Sequence, residues 1–215
     1  MKTILCYGDS NTWGYVPGSG KRYAENQRWT GVMQNLLGDS FRVIEEGLNA
    51  RTTVLDDPTR AFRNGKEYLI PCLDSHAPID VIILMLGTND LKHRFGLSAF
   101  DIGANIATLI EMMRQSSCWR DGQPPKILLV APPPVGKLAF VNATNFPEIF
   151  AGAKEKSEVL GRVYENIATK TGCLFLNSEG IITSSDVDGI HFDLGDHEKL
   201  GTALARRTRE LFNKG

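Results

Sequence analysis

Asp80-Val81-Ile82-Ile83-Leu84-Met85-Leu86 is the stretch that decides the fold. It is apolar without interruption from Val81 to Leu86 and runs straight into Gly87-Thr88-Asn89-Asp90. A strand with one wet face alternates apolar and polar residues; a continuous apolar run is what a strand covered on both faces requires. Outward from it, shorter runs at 2–7, 41–46, 126–131 and 173–176 also read as strands. Between them, stretches near 27–38, 65–76, 98–117, 146–171 and 195–213 read as helices. Ile102, Ile106, Leu109, Ile110 and Met113 recur at helical spacing behind Ser98, a good N-cap. Leu200, Leu204 and Leu211 mark one face of the last stretch, with Arg206, Arg207 and Arg209 on a solvated one. Alternating strands and helices predict an α/β fold: a parallel sheet with helices on both sides, in three layers.

No repeat, low-complexity tract or linker interrupts the chain, and one domain over 1–215 is expected. Pro132-Pro133-Pro134 directly follows a strand and reads as a stiff loop rather than a boundary. Two longer loops are expected at about 11–26 and 131–145, both leaving C-terminal strand ends, where ligands bind in open α/β sheets. Lys+Arg is 24 and Asp+Glu is 25, a net charge of −1 that offers no basic footprint for a nucleic acid. The apolar runs fall far short of the roughly 20 residues of a membrane span. The short apolar patch at 3–7 is no signal-peptide core, so a cytoplasmic location is expected. Cys6, Cys72, Cys118 and Cys173 lack the close spacing of redox or zinc pairs, and neither a disulfide, a metal nor a cofactor is expected.

Four stretches carry chemistry. Gly8-Asp9-Ser10 ends the first strand, where a nucleophile would stand, although Asp9 or Ser10 could equally cap a turn. It is not a Gly-x-Ser-x-Gly elbow, since Thr12 follows two residues later. Asp188-Gly189-Ile190-His191 can bring the Asp188 carboxylate to Nδ1 of His191, leaving Nε2 free to face Ser10. Asn89, after the most buried strand, offers a carboxamide for a developing oxyanion, or else a simple turn. Glu45-Glu46-Gly47-Leu48-Asn49-Ala50-Arg51-Thr52-Thr53 can supply a backbone N–H. Together they build one site at the sheet edge; each alone is weak.

In this order and spacing, the motifs resemble the blocks of the SGNH (GDSL) hydrolase superfamily. The resemblance spans nearly the whole chain and is closer still to its bacterial arylesterase/acyltransferase branch. It rests on Ile4 to Gly14, Arg28-Trp29-Thr30-Gly31-Val32, Ile44 to Thr53 and Val187 to Phe192. It implies a flavodoxin-like five-stranded parallel sheet. It implies that Ser10 is the nucleophile, His191 the general base and then acid, and Asp188 its orienter. The oxyanion hole would take the Ser10 N–H, the Asn89 side chain and an N–H of the second block. That last position is glycine in much of the superfamily; alignment on Thr52-Thr53 puts Ala50 there, with Gly47 the rival. The branch also implies acyl transfer to alcohols and a higher homo-oligomer, such as an octamer, whose neighbours help wall the site.

Trp13, Phe150 and Ile190 are the apolar residues expected to line the mouth. The expected reaction is hydrolysis of small aryl or short alkyl esters through an acyl-enzyme. Deacetylation of sugars is the enzymatic alternative. A non-catalytic small-ligand module at the same sheet edge is the alternative of another class, although no Gly-x-Gly-x-x-Gly follows the first strand.

Overall fold

The structure is a computed structural model that describes residues 1–212. The strands are β1 (Lys2–Gly8), β2 (Phe41–Gly47), β3 (Val81–Met85), β4 (Lys126–Ala131), β5 (Phe140–Val141), β6 (Thr144–Asn145) and β7 (Leu174–Asn177). The helices are α1 (Ser10–Trp13), α2 (Trp29–Leu37), α3 (Gly65–His76), α4 (Ala99–Gln115), α5 (Phe146–Ile149), α6 (Ala153–Thr171) and α7 (Leu194–Phe212). Of the helix expected over 195–213, residue 213 lies outside the described residues.

β3 is the central strand of a five-stranded parallel sheet in the order β2-β1-β3-β4-β7. Its uninterrupted apolar run is explained by what lies above and below it. Ile82, Leu84 and Leu86 enter a core with Leu69 and Leu73 of α3, Ile102, Ile106 and Ile110 of α4, and Leu160 and Tyr164 of α6. Val81, Ile83 and Met85 enter a second core with Trp29 and Met33 of α2 and Leu200 and Leu204 of α7. β1 and β4 divide their side chains in the same way: Leu5, Tyr7, Ile127 and Leu129 face the first core, Ile4, Cys6, Leu128 and Val130 the second. This is a three-layer α/β/α fold with the flavodoxin-like strand order. The four cysteines are free, and no described helix is long and apolar enough to cross a membrane.

Three segments depart from the sequence reading. The single helix expected over 146–171 is two: α5 stops at Ile149, and α6 starts after Gly152, whose φ of 72° lies in the left-handed region. Glycine enters that region at no steric cost, and the helical path ends there. The loop expected over 11–26 begins inside α1, because the Asp9 side chain accepts the Asn11 N–H at 2.9 Å and caps it. The loop over 131–145 contains the small β5–β6 hairpin.

Strand order reverses direction between β1 and β3: from β1 the chain goes outward to β2 at the edge and then returns past β1 to β3. A crevice opens at the C-terminal ends of strands at such a switch point. Ser10 follows β1 and Asn89 follows β3, so both stand at its mouth.

Candidate active site

Ser10 is the first residue of α1, immediately after the Asp9 cap. The two readings of Gly8-Asp9-Ser10 are compatible, since the aspartate caps the turn that holds the serine at the strand end. Ser10 Oγ lies 3.1 Å from His191 Nε2, and His191 Nδ1 lies 2.8 Å from Asp188 Oδ2. Burial raises the Asp188 pKa, but the hydrogen bonds and charge of His191 and the N–H groups of His191 and Ile190 outweigh it and leave it below the usual value. An ionised carboxylate only accepts, so the proton sits on Nδ1 and Nε2 is left as acceptor for the Ser10 hydroxyl. Asp188 is itself fixed: Oδ1 accepts the N–H groups of Ile190 and His191, both at 2.9 Å, and Oδ2 also accepts from Gly18 at 3.3 Å. Asn11 Nδ2 donates to the Ile190 carbonyl at 3.3 Å, tying the serine turn to the histidine loop.

Ala50, Asn89 and Ser10 line one cavity of about 370 Å³. Ala50 has a φ of 66°, the left-handed conformation that explains why glycine is natural at this place. Its N–H has no hydrogen-bond acceptor among the described residues, and neither has that of Ser10 in the first turn of α1. Gly47, the rival, is instead packed against α1: a Cβ there would lie 2.2 Å from the Trp13 nitrogen. The geometry thus favours Ala50 at the site and gives Gly47 a close-packing role. Asn89 Nδ2 approaches Asp9 Oδ2 at 3.5 Å, a loose contact that orients the amide and leaves donor capacity. Three donors that can stabilise an oxyanion therefore share a cavity with one hydroxyl and one imidazole.

Beneath this floor sit two buried carboxyls. Burial pushes Asp9 up to about 6 and Asp90 up to about 7, against opposing hydrogen bonds from Asn11 and Thr53 respectively. Thr53 donates its N–H to Asp90 Oδ2 at 3.0 Å, and its hydroxyl also donates to Asp90. These bonds fasten the β2 loop to the β3 loop. Arg51 fastens it to β1: its Nη1 donates to the Gly8 carbonyl at 2.8 Å and to that of Glu46, with the guanidinium 4.2 Å from the Tyr7 ring centroid.

Of the residues expected to line the mouth, Phe150 and Ile190 do so, alongside Phe146 and Ile149. Trp13 does not. Its indole is taken by Arg22, whose guanidinium stands 4.8 Å over the ring and whose Nε donates to the Trp13 carbonyl at 2.7 Å. Tyr15, two residues on, occupies the place expected of Trp13. It stacks on His191 with centroids 4.1 Å apart, while Phe146 meets the imidazole edge-on at 6.0 Å. Its sequence signal was an aromatic in the right loop, shared with Trp13, and spacing alone did not separate the two.

One cluster away from this cavity has metal-ligand types: Glu46, Cys72 and His76 bring one ligand atom each within 4.8 Å of one another. Cys72 and His76 lie one turn apart on α3, a mixed pair that cysteine spacing does not reveal. The group is closed by its own hydrogen bonds. His76 Nε2 is 2.7 Å from Glu46 Oε1, and burial followed by the Glu46 charge pushes the Cys72 thiol up to about 12.

The sequence profile of the GDSL-like Lipase/Acylhydrolase family matches residues 6–197. The native aryl esterase of M. smegmatis is 42% identical, with a TM-score of 0.92 over 98% of this chain and 100% of that one. Est24, a carbohydrate acetylesterase from Sinorhizobium meliloti, is 38% identical, with a TM-score of 0.91 over 98% and 100%. A lipolytic G-D-S-L protein from Veillonella parvula, at 15% identity and a TM-score of 0.66 over 97% and 100%, shares the fold. No curated protein sequence matches.

Proposed function

The chain belongs to the GDSL-like lipase/acylhydrolase family and is a hydrolase acting on esters, and we propose that it works as a serine esterase on small aryl or short alkyl esters. The observation that carries this reading is the continuous chain from Asp188 through His191 to Ser10, at 2.8 and 3.1 Å. Ser10 Oγ attacks the ester carbonyl carbon while His191 Nε2 takes the hydroxyl proton. The tetrahedral oxyanion is held by the N–H groups of Ser10 and Ala50 and the Asn89 amide. When the intermediate collapses, the C–O bond to the alcohol breaks and the leaving oxygen takes the proton from Nε2. Water then adds to the acyl-enzyme with His191 again as base, and the acid departs as Ser10 recovers its proton.

An alcohol in place of water yields a new ester by the same steps. The apolar wall of Phe146, Ile149, Phe150 and Ile190 supports that branch, because it binds an alcohol's carbon chain and gives water nothing to bond. Hydrolysis of sugar O-acetyl esters is the second reading, supported by the 38% identity to a carbohydrate acetylesterase. In the test, 4-nitrophenyl acetate is expected to give a burst of nitrophenol matching the enzyme concentration, and Ser10→Ala none. Parent-rate turnover by Ser10→Ala, or a fluorophosphonate that leaves Ser10 unlabelled in folded protein, refutes the assignment. Rates on aryl acetates against acetylated sugars decide between the two ester classes.

A further inference from the structure

The cavity around Ser10 has two unlike walls. One is apolar, as described. The other carries Asp57, Thr59, Arg60, Lys92 and Arg94. Three cations and one carboxylate give that wall a formal charge of 3 − 1 = +2, although the whole chain carries −1.

Asp57 is already engaged by both neighbouring cations. Its Oδ1 accepts from Arg94 Nη1 at 2.9 Å and from the Thr59 N–H and hydroxyl at 3.0 and 2.7 Å; Oδ2 accepts from Lys92 Nζ at 3.0 Å. Burial opposes ionisation of Asp57, but the bonds from Thr59 and Lys92 outweigh it and keep it anionic. One carboxylate thus serves two cations. Lys92 is only 7% exposed, yet one of its three ammonium protons has an acceptor among the described residues. Buried donors without acceptors are uncommon in native proteins and call for a partner. Arg60 forms no ion pair among the described residues. Asp9 and Asp90 feel the charge of Lys92 from behind the floor but do not line the cavity, so what this wall presents to whatever occupies the site is the Arg60 guanidinium and the remaining donors of Lys92 and Arg94.

We propose that the substrate is an ester bearing a carboxylate on one arm, held by Lys92, Arg60 and Arg94, and an apolar group on the other, held against Phe146, Phe150 and Ile190. The inference rests on the esterase reading and narrows its substrate class. A cleft lined by one sign of charge concentrates ligands of the other sign and fixes their orientation. An ester with charge at one end and hydrocarbon at the other would enter in a single direction.

The test uses two pairs of esters. In one, 4-acetoxybenzoate against its methyl ester, the carboxylate is on the alcohol arm. In the other, the mono-4-nitrophenyl ester of glutaric acid against 4-nitrophenyl pentanoate, it is on the acyl arm. Each kcat/KM is divided by the hydroxide-catalysed rate of the same ester to remove intrinsic reactivity. In at least one pair the charged member should exceed the neutral one by about fivefold, the size of about 1 kcal/mol of ion pairing. The ratio should fall towards one in about 1 M salt, where the screening length is about 3 Å. It should also fall in Arg60→Gln, an exposed position whose replacement disturbs no ion pair, while Arg206→Gln on the solvent face of α7 leaves it unchanged. A ratio of one or less in both pairs, with neutral esters turned over and Ser10 labelled by a fluorophosphonate, overturns the inference and leaves the esterase reading intact. No turnover of any of the four esters, with Ser10 unlabelled, overturns the esterase reading itself.

Discussion

Replacing Asp188 by Asn keeps the shape of the side chain and removes one charge and one acceptor. The surviving oxygen can still accept from Ile190 and His191, as Oδ1 does at 2.9 Å in both bonds, so the loop should hold its path. The amide nitrogen then faces His191 Nδ1, where an oxygen now sits at 2.8 Å. Two N–H groups cannot share that line, so the imidazole must move its proton to Nε2, and Nε2–H cannot accept the Ser10 proton. A second loss comes in the transition state, when the imidazolium forms without its carboxylate. Two unit charges about 4 Å apart at an effective dielectric of about 20 attract by about 4 kcal/mol. That is a factor of about 10³ in rate; the wrong tautomer brings the total towards about 10⁴. Stopped-flow measurement of the nitrophenol burst, with circular dichroism to verify folding, reads this directly. The fall should appear in kcat rather than KM, because Asp188 does not line the cavity and the walls that bind substrate are untouched. A folded Asp188→Asn protein with kcat within tenfold of the parent would refute the role derived for this carboxylate.

Two further outcomes are expected. Ala50→Gly should retain activity within a few-fold, because the N–H stays and φ of 66° suits glycine; Ala50→Val, β-branched in the left-handed region, should cost about 1–3 kcal/mol and lower Tm by several degrees, and equal melting of the two variants would contradict the strain. Asp90, raised from 3.8 to about 7, binds its proton more tightly folded than unfolded, so its stabilising contribution is complete below about pH 4 and is lost as pH rises through about 7; Asp90→Asn should therefore gain on the parent by about 2–4 kcal/mol in urea melts between pH 4.5 and 8, and parallel stability curves would count against it.

Much of the sheet was legible because burial on both faces leaves a strong mark. Val81 to Leu86 could hardly be anything but an inner strand, and α3 coincides with the stretch read as 65–76. The strand order was not legible in the residues themselves and came only with the family resemblance. Nothing in 41–46 says that it pairs with β1 at the edge, since its mixed polarity reflects a strand covered less completely. At the site, residues whose role follows from their chemical type stood out: Ser10, Asp188, His191 and Asn89. Arg51 and Tyr15 did not, because their roles depend on carbonyls and rings brought near by the fold. Trp13 misled for the same reason, its neighbour Arg22 being visible but their contact not. The cationic wall was hidden by distance along the chain, with Asp57 and Arg60 in one loop and Lys92 and Arg94 in another.

Ser10 and His191 touch although they stand 181 positions apart in sequence. During synthesis Ser10 is made before β2 and His191 only after β7, the strand that completes the sheet. A nascent chain that has not yet reached β7 therefore holds Ser10 without its imidazole partner, which arrives only when β7 and α7 dock. Parallel sheets with such long-range pairing fold slowly. Recovery of esterase activity after denaturation should accordingly track the slowest structural phase, so that turnover reports on completion of the whole molecule rather than on any part of it.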